Sequence, residues 1–303
     1  MLSRDKIIRL RRELGEMVRE NVSLAELTAY RTGGAAACFL QPGSLEQLKQ
    51  ALLLLDRLEI DFVILGGGSN LLVAEEGVRE RVVISLAEGF SGLELVARDD
   101  WSATVRVESG VRLSRLVRYC AEQGYAGCER LAGIPGTVGG AVAMNAGAYG
   151  QSLSDNLAAL QLMIAGHLLW RSRGGLKPAY RDGGLAAQEV VVAAYFLFER
   201  RDPAALQESV AETLSLRRRL PAGRHAGSVF KNPPGDYAGR LLEEAGCKEL
   251  RCGKAHVSGE HANVIVAEPG ARSSEIMELV EKMRRRVEAR SGVRLETEIR
   301  IFS

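Results

Sequence analysis

The most restrictive feature of this chain is an eight-residue run, Gly133-Ile134-Pro135-Gly136-Thr137-Val138-Gly139-Gly140, half of it glycine. Glycine adopts positive φ at little cost and lets backbone come close to a neighbour or a ligand. A compact domain places so many small residues in one loop where something lies against them. Asn145-Ala146-Gly147-Ala148 follows soon after. An earlier stretch, Gly66-Gly67-Gly68-Ser69-Asn70, comes directly after the apolar run Phe62-Val63-Ile64-Leu65. That order reads as a buried strand feeding a tight turn. Successive backbone N–H groups in such a turn form a concavity suited to phosphate. Taken alone, Gly66–Gly68 fits a structural turn as well as a binding loop. A Rossmann fingerprint fails because Leu71 stands where the third glycine is needed, and neither stretch supplies the Gly-Lys-Ser/Thr of a P-loop.

The rest of the chain reads as mixed α and β. Residues 4–20 predict an amphipathic helix, with Ile7, Leu10, Leu14, Met17 and Val18 near helical spacing. Ser44, with Gln47 as a capping-box partner, predicts a second helix. Strands are expected at 82–84, 103–107, 189–198 and 264–266, and helices at 112–123, from Asp202-Pro203 to about Arg219, at 236–245 and at 274–290. A final strand is expected over 293–302. Val293, Leu295, Ile299 and Ile301 would share one face of it, with Arg294, Glu296, Glu298 and Arg300 on the other. The run Arg284-Arg285-Arg286 reads as the solvated face of its helix, with Ile276, Leu279, Val280, Met283 and Val287 inward.

Composition narrows the function classes. The chain has 303 residues, a net charge of +2 and 5% aromatics. There is no strong field to favour nucleic acid and few stacking platforms for single strands. The first twenty residues lack the apolar block of a signal peptide, and the apolar stretches are too short to span a bilayer. A cytoplasmic protein with reduced thiols is expected, its five cysteines being an odd number.

The residues also carry a family resemblance. The segments Gly66–Leu72, Gly133–Gly140, Met144-Asn145-Ala146-Gly147-Ala148-Tyr149-Gly150, Gly227-Ser228-Val229-Phe230-Lys231-Asn232-Pro233 and Gly292–Ile301 resemble the UDP-N-acetylenolpyruvoylglucosamine reductase family, in that family's order, from about residue 22 to the end. The resemblance implies an α+β protein: a vanillyl-alcohol oxidase type FAD-binding domain of two α+β subdomains, plus a C-terminal α+β substrate domain. With the border at Asp202-Pro203, the divisions fall at 1–85, 86–201 and 202–303. The span from 234 to 303 is too short for the tyrosine loop that some members insert. The resemblance further implies NADPH as co-substrate and a nucleotide-sugar substrate; a monomer is expected. It assigns Gly66, Gly67, Gly68, Ser69, Asn70, Leu71, Ile134, Gly136, Thr137, Gly139, Gly140, Asn145, Ala146 and Gly147 to FAD.

Reducing an enolpyruvyl ether takes a hydride at one carbon and a proton at the next. Flavins carry hydride, while the protein supplies position and electrostatics. Ser228 matches the family's proton donor, with Lys231 and Asn232 close enough in sequence to assist. Arg181, after Tyr180, matches the arginine that would bind the enolpyruvyl carboxylate, a planar anion suited to a guanidinium fork. Gly183 stands where the family usually has serine. Glu298 matches the family's catalytic glutamate; Glu296 shares its expected face, and only the resemblance selects between them. Arg219 falls where the family places a basic residue near the UDP diphosphate, and the Arg217–Arg219 run also complements a helix dipole. His261 is a candidate for the substrate cleft. Cys247, Cys252, His256 and His261 invite a zinc reading, but three residues between the second cysteine and first histidine are too few for a zinc finger, and no metal is expected. Two alternatives remain: an FAD oxidase of the same fold, and an inactive nucleotide-sugar binding protein, which Gly183 alone favours.

Overall fold

The computed structural model describes residues 2–218 and 220–303. The chain forms two compact units: Met1–Glu20, Cys38–Gly67 and Glu80–Arg217 in one, and Asn21–Ala37, Gly68–Arg79 and Arg218–Ser303 in the other.

The first unit holds α1 (Arg4–Leu14), α2 (Leu45–Arg57), α3 (Leu113–Gln123), α4 (Val138–Ala143) and α5 (Pro203–Arg217). The expected helix over 4–20 stops early: Gly15 takes φ 62°, Gly15–Met17 form a single 3₁₀ turn and a strand begins at Val18. A glycine in that conformation closes a helix at little cost. Ser44 caps α2 by accepting from Gln47 N, while the Gln47 carboxamide reaches back to Gly43 N rather than Ser44. Phe62–Leu65 lies parallel to Val82–Ser85, with Phe39 and Leu40 on the other side of that strand.

The larger sheet of this unit is antiparallel, in the order His167–Ser172, Leu157–Ile164, Val190–Arg200, Ser102–Glu108, Leu93–Arg98. Ala165 and Gly166, at φ 44° and 77°, make the tight turn of the first hairpin. Val190–Arg200 explains its nearly unbroken apolar run by serving two cores. Val190 and Val192 pack in the cluster with Leu10, Leu48, Val82 and Ile84. Val191, Ala194, Phe196 and Phe198 join Val105, Leu113, Leu116 and Cys120. Full burial of a Val, Leu or Phe side chain is worth about 1.5–3 kcal/mol, so both clusters hold this strand firmly. Leu206 and Val210 of α5 also pack in this unit, and Thr213 hydrogen-bonds Arg130. The C-terminal stretch of the second unit begins at Arg218.

The second unit holds α6 (Ala238–Glu244), α7 (Ser273–Ser291), a three-stranded antiparallel sheet of Arg251–Cys252, Ala255–Val257 and Ile265–Ala267, and a parallel pair of Leu71–Val73 with Arg300–Phe302. The expected strand over 293–302 is thus paired only at its end, apart from a single bridge of Thr297 to Phe230. The alternation survives at Leu295 and Ile299, both 2% exposed, but Ile301 is 42% exposed. The inward residues expected on α7 are all buried. Arg284 is the exception to its solvated face: it donates to Leu295 O and lies over the Phe230 ring.

Candidate functional site

In the first unit the two glycine loops meet. A Cβ on Gly67 would stand 2.5 Å from Gly136 Cα, and one on Gly66 would stand 3.0 Å from Thr137 Oγ1. A Cβ on Gly139 would be 2.7 Å from Ser109 Cβ. A side chain at Gly67 or Gly139 would force its neighbours apart, whereas one at Gly66 would need Thr137 to give by a few tenths of an ångström. The second loop is pinned by Leu113 N to Gly136 O, Val138 N to Val111 O and Gly139 N to Ser109 O. Thr137 caps α4 by accepting from Gly140 N at 3.4 Å. Gly66, Ser109, Gly110, Thr137, Gly139 and Gly140 line one cleft.

The Ser109 hydroxyl is buried with no hydrogen-bond partner among the described residues. An enclosed polar atom without a partner calls for one from outside the chain. Glu189 also lines the cleft, but Arg171 holds its carboxylate through two hydrogen bonds, and Ala186 N donates to it as well. The Arg171 bond is the main reason this carboxyl titrates below the usual range. Arg171 is therefore occupied by Glu189. A glycine-walled cleft with an orphan hydroxyl and a neutralised carboxylate fits an extended anionic cofactor such as FAD.

Asn145, Ala146 and Gly147 continue this wall. Asn145 fastens it: its amide donates to Ala179 O and accepts from Ser154 N. Ala146 O and N bond Leu153 and Ala141, and Ile134 N bonds Leu131 O. Gly147 O accepts from Arg181 Nη1 at 3.0 Å. Arg181 sits at φ 58° in a tight turn closed by Ala179 and Asp182, with its guanidinium 5.0 Å from the Tyr180 ring centre. Gly183 N bonds Ala143 O, and a Cβ there would lie 2.1 Å from Val142 O. The departure from the family's serine thus accompanies a close approach of two backbones.

The Arg217–Arg219 run resolves unevenly. Arg219 lies outside the described residues. Arg217, given only a helix-dipole role from sequence, is half-buried, and its guanidinium lies 5.7 Å from the Tyr149 ring centre. Its Nε is enclosed without a hydrogen-bond partner among the described residues. Burial, and after it the charge of Arg181, makes its cation less favourable. Nothing in the sequence marked Arg217 as enclosed, because its burial comes from packing beyond its own helix.

The second unit gathers the remaining candidates. The first glycine stretch divides here, since Gly68, Ser69, Asn70 and Leu71 belong to this unit. Gly68 packs on Leu27 O, where a Cβ would be 1.9 Å away. Asn70 Nδ2 donates to Glu298 O, and Asn70 O accepts from Arg300 N, both at 3.0 Å. Glu298 N donates to Val229 O at 2.7 Å. Asn70, Glu298 and the residue after Ser228 are thereby joined in sequence of contact.

Ser228 is partly exposed, between Gly227 at φ 76° and the fully buried pair Val229 and Phe230. Lys231 Nζ lies 3.5 Å from a Glu296 carboxylate oxygen, and Lys231 N donates to Glu296 O. Glu296 is therefore paired at the surface, its side chain 79% exposed, whereas Glu298 is partly enclosed beside Asn70. The two glutamates that sequence could not separate occupy different surroundings.

Asn232 accepts from Ala238 N at the start of α6. His261 accepts from Asn263 N on Nδ1, and burial holds its imidazole below the usual range. The Cys/His set is dispersed in its bonding: Cys247 is in the apolar core, Cys252 interacts with Glu278, and His256 lies beside Glu268.

Residues 36–170 match the family model described as an FAD binding domain, and residues 219–302 match the UDP-N-acetylenolpyruvoylglucosamine reductase, C-terminal domain. A reductase of that name from Syntrophotalea carbinolica is 37% identical over 294 residues, covering 95% of this chain and 96% of the relative. One from Alkalilimnicola ehrlichii is 42% identical over 282 residues, covering 92% of each. The crystal structure of the Thermus caldophilus UDP-N-acetylenolpyruvylglucosamine reductase aligns with a TM-score of 0.81 at 35% identity, covering 94% of this chain and all of that one.

Proposed function

The chain belongs to the UDP-N-acetylenolpyruvoylglucosamine reductase family, and from that premise we propose how its residues divide the work of the reaction. The protein is an FAD-containing oxidoreductase of peptidoglycan precursor synthesis that reduces UDP-N-acetylglucosamine enolpyruvate to UDP-N-acetylmuramate at the expense of NADPH. It has the α+β fold of the family, with an FAD-binding domain of the vanillyl-alcohol oxidase type. We divide it into two FAD-binding subdomains, 1–85 and 86–201, and a substrate domain, 202–303. The apolar cluster that α6, α7 and the three-stranded sheet share supports a separate C-terminal substrate domain. We place its action in the cytoplasm, as a monomer without nucleic acid, and in the supply of precursor for cell shape and division. No helix among the described residues is long and apolar enough to cross a membrane.

The backbone of Gly66–Leu71, Ile134, Gly136, Thr137, Gly139, Gly140 and Asn145–Gly147 would hold FAD, the glycines by admitting close approach of the cofactor. When bound, FAD carries the hydride from NADPH to the substrate. The enolpyruvyl double bond gains that hydride at one carbon and a proton at the other, and negative charge develops beside the carboxylate. Arg181 answers the carboxylate with a guanidinium fork, with Tyr180 beneath it. Ser228 gives the proton, and Glu298 lies on the adjoining segment to take part in proton transfer. Lys231, Asn232, His261 and Arg219 complete the substrate-binding set.

The observation that carries this reading is the contact from Asn70 to Glu298 and from Glu298 to Val229, beside Ser228. Gly183, the one feature that favoured an inactive binding protein, has a packing reason instead. Purified protein is expected to be yellow. Ser228→Ala should leave flavin reduction by NADPH intact and slow enolpyruvyl-driven reoxidation by about 10²–10⁴-fold. Equal loss in both half-reactions would remove Ser228 from the proton-donor role.

A further inference from the structure

Asn263 is absent from the roles above, yet three hydrogen bonds tie it to the serine segment. It is 3% exposed. Its backbone carbonyl accepts from Val229 N at 2.9 Å. Its side-chain oxygen accepts from Phe230 N at 2.9 Å, and its side-chain nitrogen donates to Phe230 O at 2.8 Å. The three bonds hold three successive peptide groups, 228–229, 229–230 and 230–231. The first of these begins at the carbonyl of Ser228 itself.

An amide buried in an apolar core is unfavourable unless both its donor and its acceptor are matched. Here both are matched by one residue, Phe230, in the geometry that a neighbouring strand would offer. A satisfied buried network of this kind specifies one arrangement of the chain it holds. On the other side of Ser228, Gly227 N donates to His225 Nδ1 at 3.1 Å and Ala226 is buried in the core, but among the described residues no side-chain amide clamps successive peptide groups there. Asn263 therefore fixes the chain on the C-terminal side of the serine.

We propose that Asn263 is a positioning residue for the reduction, clamping Val229 and Phe230 so that the Ser228 hydroxyl is aimed at the carbon that receives the proton. The proposal rests on the reading of Ser228 as proton donor. A misplacement of about 1 Å in a reacting group can cost about 10²-fold in rate.

The test uses the FAD-loaded protein and follows the two half-reactions by flavin absorbance. Asn263→Asp keeps an acceptor for Phe230 N but replaces donation to Phe230 O with repulsion. Asn263→Leu removes both bonds. Each should leave reduction by NADPH within about twofold of the parent, while reoxidation by the enolpyruvyl substrate slows by about 10–100-fold. The solvent deuterium isotope effect on reoxidation should rise as proton delivery becomes limiting. In a Ser228→Ala background, Asn263→Asp should slow reoxidation less than about threefold further, because residues that act through one another are not additive.

Equal slowing of both half-reactions, or a full additional loss in the Ser228→Ala background, would overturn the proposal. Asn263→Ala, where water can bridge the vacated backbone groups, serves as a third variant. If none of the three folds and takes up FAD, Asn263 holds the fold alone and the proposal is equally overturned. The premise fails separately: Ser228→Ala with unchanged reoxidation would dismiss the serine, whereas a slow Ser228→Ala beside a fast Asn263→Asp would dismiss only the clamp.

Discussion

At the scale of single residues, surroundings rather than residue type separate the candidates. Glu296 and Glu298 have the same side chain two positions apart, yet one pairs with Lys231 at the surface and the other is enclosed beside Asn70. Arg171, Arg181 and Arg217 divide likewise: a closed pair with Glu189, a donor to Gly147 O, and an inward guanidinium beside Tyr149. Gly183 gives a prediction that runs against the family pattern. Gly183→Ser restores the usual family residue but sets a Cβ 2.1 Å from Val142 O. It should destabilise the protein by about 1–3 kcal/mol, as overpacking does, seen as a lower thermal midpoint. An unchanged midpoint would show that the two backbones separate freely.

At the scale of elements, hydrophobic periodicity located helices well where one face is buried. α3 and α7 sit within a residue or two of their expected bounds because Leu116, Val117 and Cys120, or Ile276, Leu279 and Met283, recur at helical spacing toward a core. The failures are where periodicity competes with a local stop or lacks a partner. Gly15 ended α1 before the apolar pattern did. The last strand alternates over ten residues, but neighbouring backbone is available mainly at Arg300–Phe302. α4 was unforeseen because Gly139 and Gly140 are poor helix formers; Thr137 and tertiary packing hold it. The glycine loops themselves supply a prediction. Gly67→Ala would place its Cβ 2.5 Å from Gly136 Cα, so the loops must part. FAD uptake should fall by at least tenfold in a titration by flavin fluorescence, with a loss of stability of about 2 kcal/mol. Tight FAD binding by Gly67→Ala would show that the loops do not have to touch.

At the scale of the whole molecule, the half-buried His261 and the buried Cys38 each make stability depend on pH. Burial lowers the His261 imidazole below its ordinary value of 6.5. The unfolded chain therefore takes the proton first as pH falls. This contribution is complete above about 6.5 and is lost as pH drops through the lower folded value. Burial, and next the charge of Glu20, pushes the Cys38 thiol from 9.0 up to about 12. Here the unfolded chain loses its proton first, so stability declines as pH rises from about 9 toward 12. Thermal midpoints measured with reductant should form a plateau between these limits. His261→Asn should flatten the acid limb and Cys38→Ala the alkaline one; unchanged slopes would assign the dependence to other groups.

The amino-acid sequence by itself determined the local chemistry: glycines where backbone comes close, the order of the motifs and hence the family, and the apolar faces of the longer helices. These are legible because φ freedom, periodicity and motif order are properties of neighbouring residues. Only the tertiary structure decided which of several like side chains is enclosed, that Asn21–Ala37 and Gly68–Arg79 pack with the C-terminal stretch, and that Asn263 grips the peptides after Ser228. Those outcomes depend on pairings between segments far apart in the chain. Asn263 and Phe230 are 33 residues apart, and Asn70 and Glu298 are 228 apart. No local pattern encodes such pairs, because each partner's backbone donors and acceptors are the same as those of every other residue until the fold removes them from water.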